Sequence, residues 1–176
     1  MKEHGTGGAN TKTGTLFEGK TDLRTFLSLQ PGYLCENDKR GWVSVSYRGE
    51  KVADIFKKGA LYRFLQHRQI NWKSILSKKL LPDNAIYVIA NNTFFIIECK
   101  FQKVIGSVDE KLQTCDFKKK QYQKLLAALH INVEYIYLLN DWFKKPEYRD
   151  VLEYIISVGC SYYFEHIPLS KFGLQV

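Results

Sequence analysis

No stretch of this sequence offers the ~20 consecutive apolar residues that a membrane-spanning helix needs. Its opening, MKEHGTGGAN, has no apolar core of the kind a secretory signal requires. The expectation is a cytoplasmic protein without a membrane partner. Cysteine is sparse and scattered: Cys35, Cys99, Cys115 and Cys160 form no C-x-x-C pair. That fits reduced thiols better than a disulfide frame or a zinc knot. Histidine is equally dispersed, at His4, His67, His130 and His166, which argues against a histidine-held metal hydrolase. The glycine-rich GTGGANTKTG (5–14) lacks the Gly that a phosphate-binding loop places before Lys-Thr, has no strand ahead of it, and is not G-x-G-x-x-G. No repeat, linker or low-complexity segment divides the chain, so residues 1–176 are expected to form one domain, with residues 1–14 as an arm.

Hydrophobic residues make up 45% of the 176, enough for a packed core rather than disorder. Lys and Arg number 26 against 18 Asp and Glu, a formal charge of +8. That excess suits a polyanionic partner without identifying one.

The periodicity gives a coarse order of elements. TLFEGKTDLRTFLSL (15–29) puts Leu16, Leu23, Phe26 and Leu27 near one helical stripe, ended by Pro31-Gly32. WVSVSY (42–47) alternates as a half-buried strand does, while KVADIF (51–56) reads as a strand or as the lead-in to a helix. GALYRFLQHR (59–68) and NWKSILSKKLL (71–81) look like short basic helices. Two strands follow, near 85–90 and 93–100, joined through Asn91-Asn92, a pair that tolerates the positive φ of a tight turn. DFKKKQYQKLLAALH (116–130) is a helix with Tyr122, Leu125, Leu126 and Leu129 inward; its start is Asp116 as N-cap or an earlier capping box of Ser107 and Glu110. VEYIYLLN (133–140) reads as a strand buried on both faces, KPEYRDVLEYIISV (145–158) as a helix and CSYYFEHI (160–167) as a last strand. Alternating helices and strands in this order imply a mixed-sheet α/β domain.

The most informative stretch is LLPDNAIYVIANNTFFIIECKF (80–101). Side chains alternate along a strand, so Glu98 and Lys100 share a face and Cys99 points oppositely. Phe94 to Ile97 are apolar at both parities, the mark of a central strand covered on both sides. If the Asn-Asn turn pairs the two strands, Pro82-Asp83 lies beside Glu98-Cys99-Lys100, and two carboxylates meet an ammonium at one corner of the sheet. Paired carboxylates supply hard oxygen ligands for Mg²⁺ and would repel each other without a cation between them. A lysine beside them can orient or deprotonate a water, or offset charge on a phosphorane. Glu-x-Lys alone would more simply be a salt bridge at a strand end; Pro-Asp across the hairpin favours chemistry.

Pro82-Asp83 followed by Glu98-Cys99-Lys100 resembles the signature of the PD-(D/E)xK nuclease superfamily, and the element order is similar to its restriction-endonuclease-like α-β-β-β-α-β core, a mixed central sheet flanked by helices. The flanking GTGGANTKTGTLFEGKTDL (5–23) and GSVDEKLQTCDFKKKQYQKLL (106–126) resemble small type II restriction endonucleases. The resemblance implies Asp83 and Glu98 as metal ligands assisted by the Cys99 carbonyl, and Lys100 as the catalytic lysine. Glu18 matches the position, expected on the first helix, where many members place a further acid near the metals. Some members carry Gln and Tyr on the helix after the motif; Lys118 and Tyr122 have that spacing, with Lys standing for Gln.

This implies a Mg²⁺-dependent, sequence-specific endonuclease of double-stranded DNA, with Mn²⁺ able to substitute, a cognate DNA methyltransferase in the same system, and a homodimer to match a palindromic site. Lys118, Lys119 and Lys120, with Arg63, His67 and Arg68 on one face of a short helix, are candidates for phosphate contacts that position without reading sequence. A run of lysines is otherwise a solvated helix face. Residues 5–14 read as a mobile arm or as a DNA-gripping loop carrying Lys12. A repair or junction-resolving nuclease of the same fold, or a non-catalytic DNA-binding module, are the competing readings.

Overall fold

The computed structural model describes residues 16–18, 22–103 and 108–175. In chain order these form β1 (Leu16–Glu18), α1 (Leu23–Ser28), β2 (Tyr33–Asn37), β3 (Val43–Tyr47), β4 (Glu50–Phe56) and α2 (Ala60–His67). Next come β5 (Asn84–Val88), β6 (Thr93–Lys100), α3 (Val108–Leu112), α4 (Cys115–Leu126), β7 (Asn132–Leu139), α5 (Arg149–Ser157), β8 (Ser161–Phe164) and β9 (His166–Pro168).

Seven strands make one mixed sheet in the order β2-β3-β4-β5-β6-β7-β8, flanked by helices. The first five pair antiparallel, whereas β7 and β8 join in parallel. The connections follow the pairing. Arg48 and Gly49 alone link β3 to β4, with φ of 50° and 88°, the left-handed values that a two-residue hairpin needs. Residues 89–92 close the β5–β6 hairpin, with Asn92 at φ 49°. A parallel neighbour requires a crossover, which α3 and α4 supply before β7 and α5 supplies before β8.

Both faces of the sheet are covered, as the unbroken apolar run of β6 requires. Phe94 and Ile96 pack on one face with Phe56, Tyr135 and Tyr137 beneath α2 and α4. Phe95 and Ile97 pack on the other with Ile86, Ile136 and Leu138 beneath α1, β9 and the turn at Leu169–Phe172. Phe56 stacks on Phe94 at 5.1 Å between ring centroids. Each such fully buried side chain contributes about 1.5–3 kcal/mol relative to exposure. No helix among the described residues is long and apolar enough to cross a membrane.

Several sequence expectations need correction. The helix expected over 15–29 is split: residues 16–18 are β1, which pairs with β9 (Phe17 opposite Ile167), and only Leu23–Ser28 is helical. A ladder partner far along the chain, invisible to local periodicity, takes the first part. Residues 71–81 form one short 3-10 turn, Trp72–Ser74, rather than a helix. There the Asn71 side chain accepts from the Lys73 N–H, and Tyr62 Oη accepts from the Leu80 N–H at 2.7 Å, so these groups bond outside any helical ladder. KVADIF resolves as strand within β4, and YLCEN, not anticipated as a strand, is the edge strand β2. Helix α4 starts at Cys115 after Thr114, which places Asp116 inside the first turn instead of at the cap; its carboxylate pairs with Lys120 at 2.7 Å. Scattered in sequence, Cys115 and Cys160 meet in the core with their thiols in hydrogen-bond contact.

Candidate active site

The start of β5 and the end of β6 bring the candidate residues to one end of the sheet. Asn84 pairs with Ile97 in the β5–β6 ladder, and extending that register by one residue sets Asp83 opposite Glu98. Asp83 Oδ2 accepts the Cys99 N–H at 3.0 Å, so the carboxylate that follows Pro82 pins the open end of the hairpin. By parity Glu98 and Lys100 lie on the face covered by α4, continuing the row of Phe94 and Ile96, and Cys99 faces the other layer. Burial, with the Asp83 charge second, pushes the Cys99 thiol up to about 12. The thiol therefore stays protonated and uncharged, and only the carbonyl of Cys99 faces this chemistry.

Glu98 is the hub. Its Oε1 accepts from Lys100 Nζ at 3.0 Å and from Lys118 Nζ, on α4, at 2.6 Å; its Oε2 accepts from the Tyr135 hydroxyl at 2.6 Å. The Glu98 side chain retains 14% of its exposure, Lys100 18% and Lys118 25%. Burial alone would raise the Glu98 carboxyl. The hydrogen bonds from Lys118 and Tyr135, with the Lys100 charge, outweigh it and hold the group below the usual carboxylate range. Tyr135 is 1% exposed, and burial followed by the Glu98 charge drives its phenol far above the normal range, so it serves as a neutral donor. Tyr122 is buried beside the cluster, its phenol likewise raised by burial, then by Tyr62, Glu98 and Asp83.

The cations that Glu98 meets within the protein are Lys100, from the same strand, and Lys118, from α4. Two carboxylates and two ammoniums balance within the cluster, because α4 delivers Lys118 from across the crossover. Tyr135 is the residue that sequence reasoning missed. A signal for it existed: a strand buried on both faces with tyrosines at 135 and 137 must find partners for their hydroxyls, and Tyr137 Oη indeed donates to the Lys111 carbonyl at 3.0 Å.

The remaining candidates are spread out. Lys119 Nζ donates to the Gly159 carbonyl at 2.6 Å and Lys120 pairs with Asp116, so the three consecutive lysines have three separate commitments. Arg63 donates to the Gly41 carbonyl at 2.6 Å, and Arg68 lies over the Phe64 ring at 5.4 Å, while His67 meets Trp42 edge-on. Glu18 ends strand β1 rather than lying on the expected helix. Its side chain lies outside the described residues, as does Lys12. Lys57 and Lys58, which follow β4 directly, were also missed because the strand itself was ambiguous; the Lys58 N–H donates to the Pro82 carbonyl at 3.4 Å, which sets its backbone beside Asp83, whereas the Lys57 ammonium pairs with Asp22 at 3.3 Å.

The donors suit a small hard cation. Among the described residues no group of three or more His, Cys, Asp or Glu converges. The available set is the Asp83 and Glu98 carboxylates with the Cys99 carbonyl, all oxygen, and few enough to leave positions for water and phosphate, as Mg²⁺ prefers. A cavity of about 320 Å³, lined by Arg24, Lys57, Arg63, Trp42 and their neighbours, lies toward the β2–β3 side and includes none of Asp83, Glu98 and Lys100.

A family model described as the PD-(D/E)XK nuclease superfamily domain matches residues 37–126, just over half of the chain, from the end of β2 to the end of α4. Neither the curated proteins nor the solved structures yield a match.

Proposed function

Because the chain belongs to the PD-(D/E)XK nuclease superfamily, we propose that it is a Mg²⁺-dependent, sequence-specific endonuclease of double-stranded DNA, acting as a type II restriction enzyme. The observation that carries this reading is the convergence of Asp83, Glu98 and Lys100 at the ends of two paired strands. In it Asp83, Glu98 and the Cys99 carbonyl hold the divalent ion, with Mn²⁺ able to replace Mg²⁺. The chemistry such an ion supplies when bound is Lewis-acid polarisation of a phosphodiester and acidification of a water. Lys100 orients the attacking water and offsets the negative charge that grows on the phosphorus centre. Tyr135 fixes the Glu98 carboxylate through Oε2, which leaves Oε1 facing Lys100 and Lys118. Lys57, Lys58 and Arg63 lie toward the same end of the sheet and hold the backbone of the duplex by charge, which sets its position without reading bases. A DNA methyltransferase of matching specificity would protect the host.

Digestion of several supercoiled plasmids with Mg²⁺, followed by sequencing of the ends, tests the reading. Discrete fragments sharing one end sequence are expected, with cleavage abolished by EDTA and restored by Mn²⁺. Asp83→Ala and Glu98→Ala should each lower the rate by about 10³-fold or more with the fold retained. Lys100→Ala should do the same without preventing metal binding. Cleavage only at branched or damaged DNA would move the protein to repair, and DNA binding with no cleavage under any metal would make it a binding module. A Lys100→Ala variant cutting at the wild-type rate would remove Lys100 from the chemistry.

A further inference from the structure

The Glu98 oxygen that a divalent ion needs already carries two ammoniums, and the shorter contact comes from α4: Lys118 at 2.6 Å against Lys100 at 3.0 Å. We infer that Lys118 occupies the cation position of the resting site and must leave Glu98 before a divalent metal enters, so that metal binding stays weak until a DNA phosphate receives the displaced ammonium. The inference rests on the nuclease reading above and concerns the order in which that site is loaded.

Charge sets the requirement. Asp83, Glu98, Lys100 and Lys118 sum to zero, so a divalent ion added to the intact cluster leaves an excess of two positive charges beside the part-buried Glu98 and Lys100 side chains, where like charges repel more strongly than in solvent. Releasing Lys118 removes one of them, and a phosphodiester brings the opposite charge that the metal and the freed lysine both seek. Geometry selects which lysine moves. Oε2 of Glu98 already accepts from the buried Tyr135 hydroxyl, so Oε1, which carries both ammoniums, is the oxygen left to face a metal. Lys100 is carried by the same strand as Glu98 and also donates to the Cys99 carbonyl at 3.4 Å. Lys118 projects from a different element, has Glu98 as its acceptor, and retains the larger exposure, 25% against 18%. It can swing outward without disturbing the sheet. Lys118 is thereby a positioning residue: it holds metal off Glu98 in the absence of DNA and moves to the substrate when both arrive.

The test is calorimetric titration of Mn²⁺ into the full chain without DNA, which reads occupancy rather than activity. Wild type is expected to bind weakly and Lys118→Met at least about tenfold more tightly, since one positive charge has been removed from beside the ion. Lys118→Gln, which keeps a hydrogen-bond donor without the charge, should behave like Lys118→Met and guards against a packing artefact. Lys119→Met, with its partner at Gly159, should match wild type. Thermal melts establish that each variant is folded. If Mn²⁺ binds wild type and is lost in Glu98→Gln, yet neither Lys118 variant binds more tightly, the latch is wrong and the metal site stands. If Mn²⁺ binds no variant, or binding is indifferent to Glu98→Gln, the metal site itself is wrong and the latch falls with it.

Discussion

Glu98 satisfies both of its oxygens inside the protein, with two ammoniums on one and a phenol on the other. Its carboxyl is held below the value of 4.5 for a free glutamate, burial being outweighed by those donors. A depressed pKa contributes stability that is present above the unfolded value and is lost as pH falls through the folded one. The Glu98→Gln variant, which leaves two lysines facing an amide, should therefore be less stable than wild type at neutral pH by about 3 kcal/mol, the low end for breaking a buried pair. The gap should narrow as pH falls from the unfolded value of 4.5 and close only once it has passed through the lower folded one, where wild type loses the same charge. Chemical denaturation of both proteins across that range checks it; a gap independent of pH would mean that Glu98 contributes packing and not charge. At this scale the strand parity of Glu98 and Lys100 was legible, because alternation is a property of the strand alone. The partners of Glu98 were not, since Lys118 and Tyr135 reach it from 20 and 37 residues away.

Helix α4 shows what an element decides. In sequence Lys118, Lys119 and Lys120 are one charge run; wound at about 100° per residue they diverge toward Glu98, Gly159 and Asp116. Single alanine substitutions should separate their roles through the salt dependence of DNA affinity, because each lysine that neutralises a phosphate adds about one unit to the slope. We expect a slope lower by that amount for Lys118→Ala, and slopes close to wild type for Lys119→Ala and Lys120→Ala, whose native ammoniums are committed within the protein. Equal decreases at all three would restore the run to a single phosphate-binding face. The same reasoning explains the split of residues 15–29. Its helical stripe was readable, and Leu23, Phe26 and Leu27 are buried as that stripe implies, yet residues 16–18 answer to β9 near the other end of the chain.

For the whole molecule, one chain contributes one Asp83–Glu98–Lys100 cluster, which on the proposed function would hydrolyse one strand at a time. A palindromic target is matched most simply by a two-fold dimer. We therefore expect a homodimer on DNA, built around the 59–79 segment or the N-terminal arm, the arm lying outside the described residues. Light scattering on the complex, combined with a time course on supercoiled plasmid, distinguishes this from a monomer. A dimer should pass largely from supercoiled to linear product, whereas accumulation of nicked circles by a monomeric complex would refute it.

Read alone, the sequence determined the α/β class, the β5–β6 hairpin and the placing of Asp83 beside Glu98 and Lys100, all of which follow from alternation, turn chemistry and the length of apolar runs. Those rules act between residues that are close along the chain or paired through one short turn. Tertiary structure alone decided the edge strand β2, the pairing of β1 with β9, and the closing of the charge balance around Glu98 by Lys118 and Tyr135. Each depends on where a crossover helix or a distant strand comes to rest, and that is set by burial of two faces of the sheet at once, a requirement no local stretch can express.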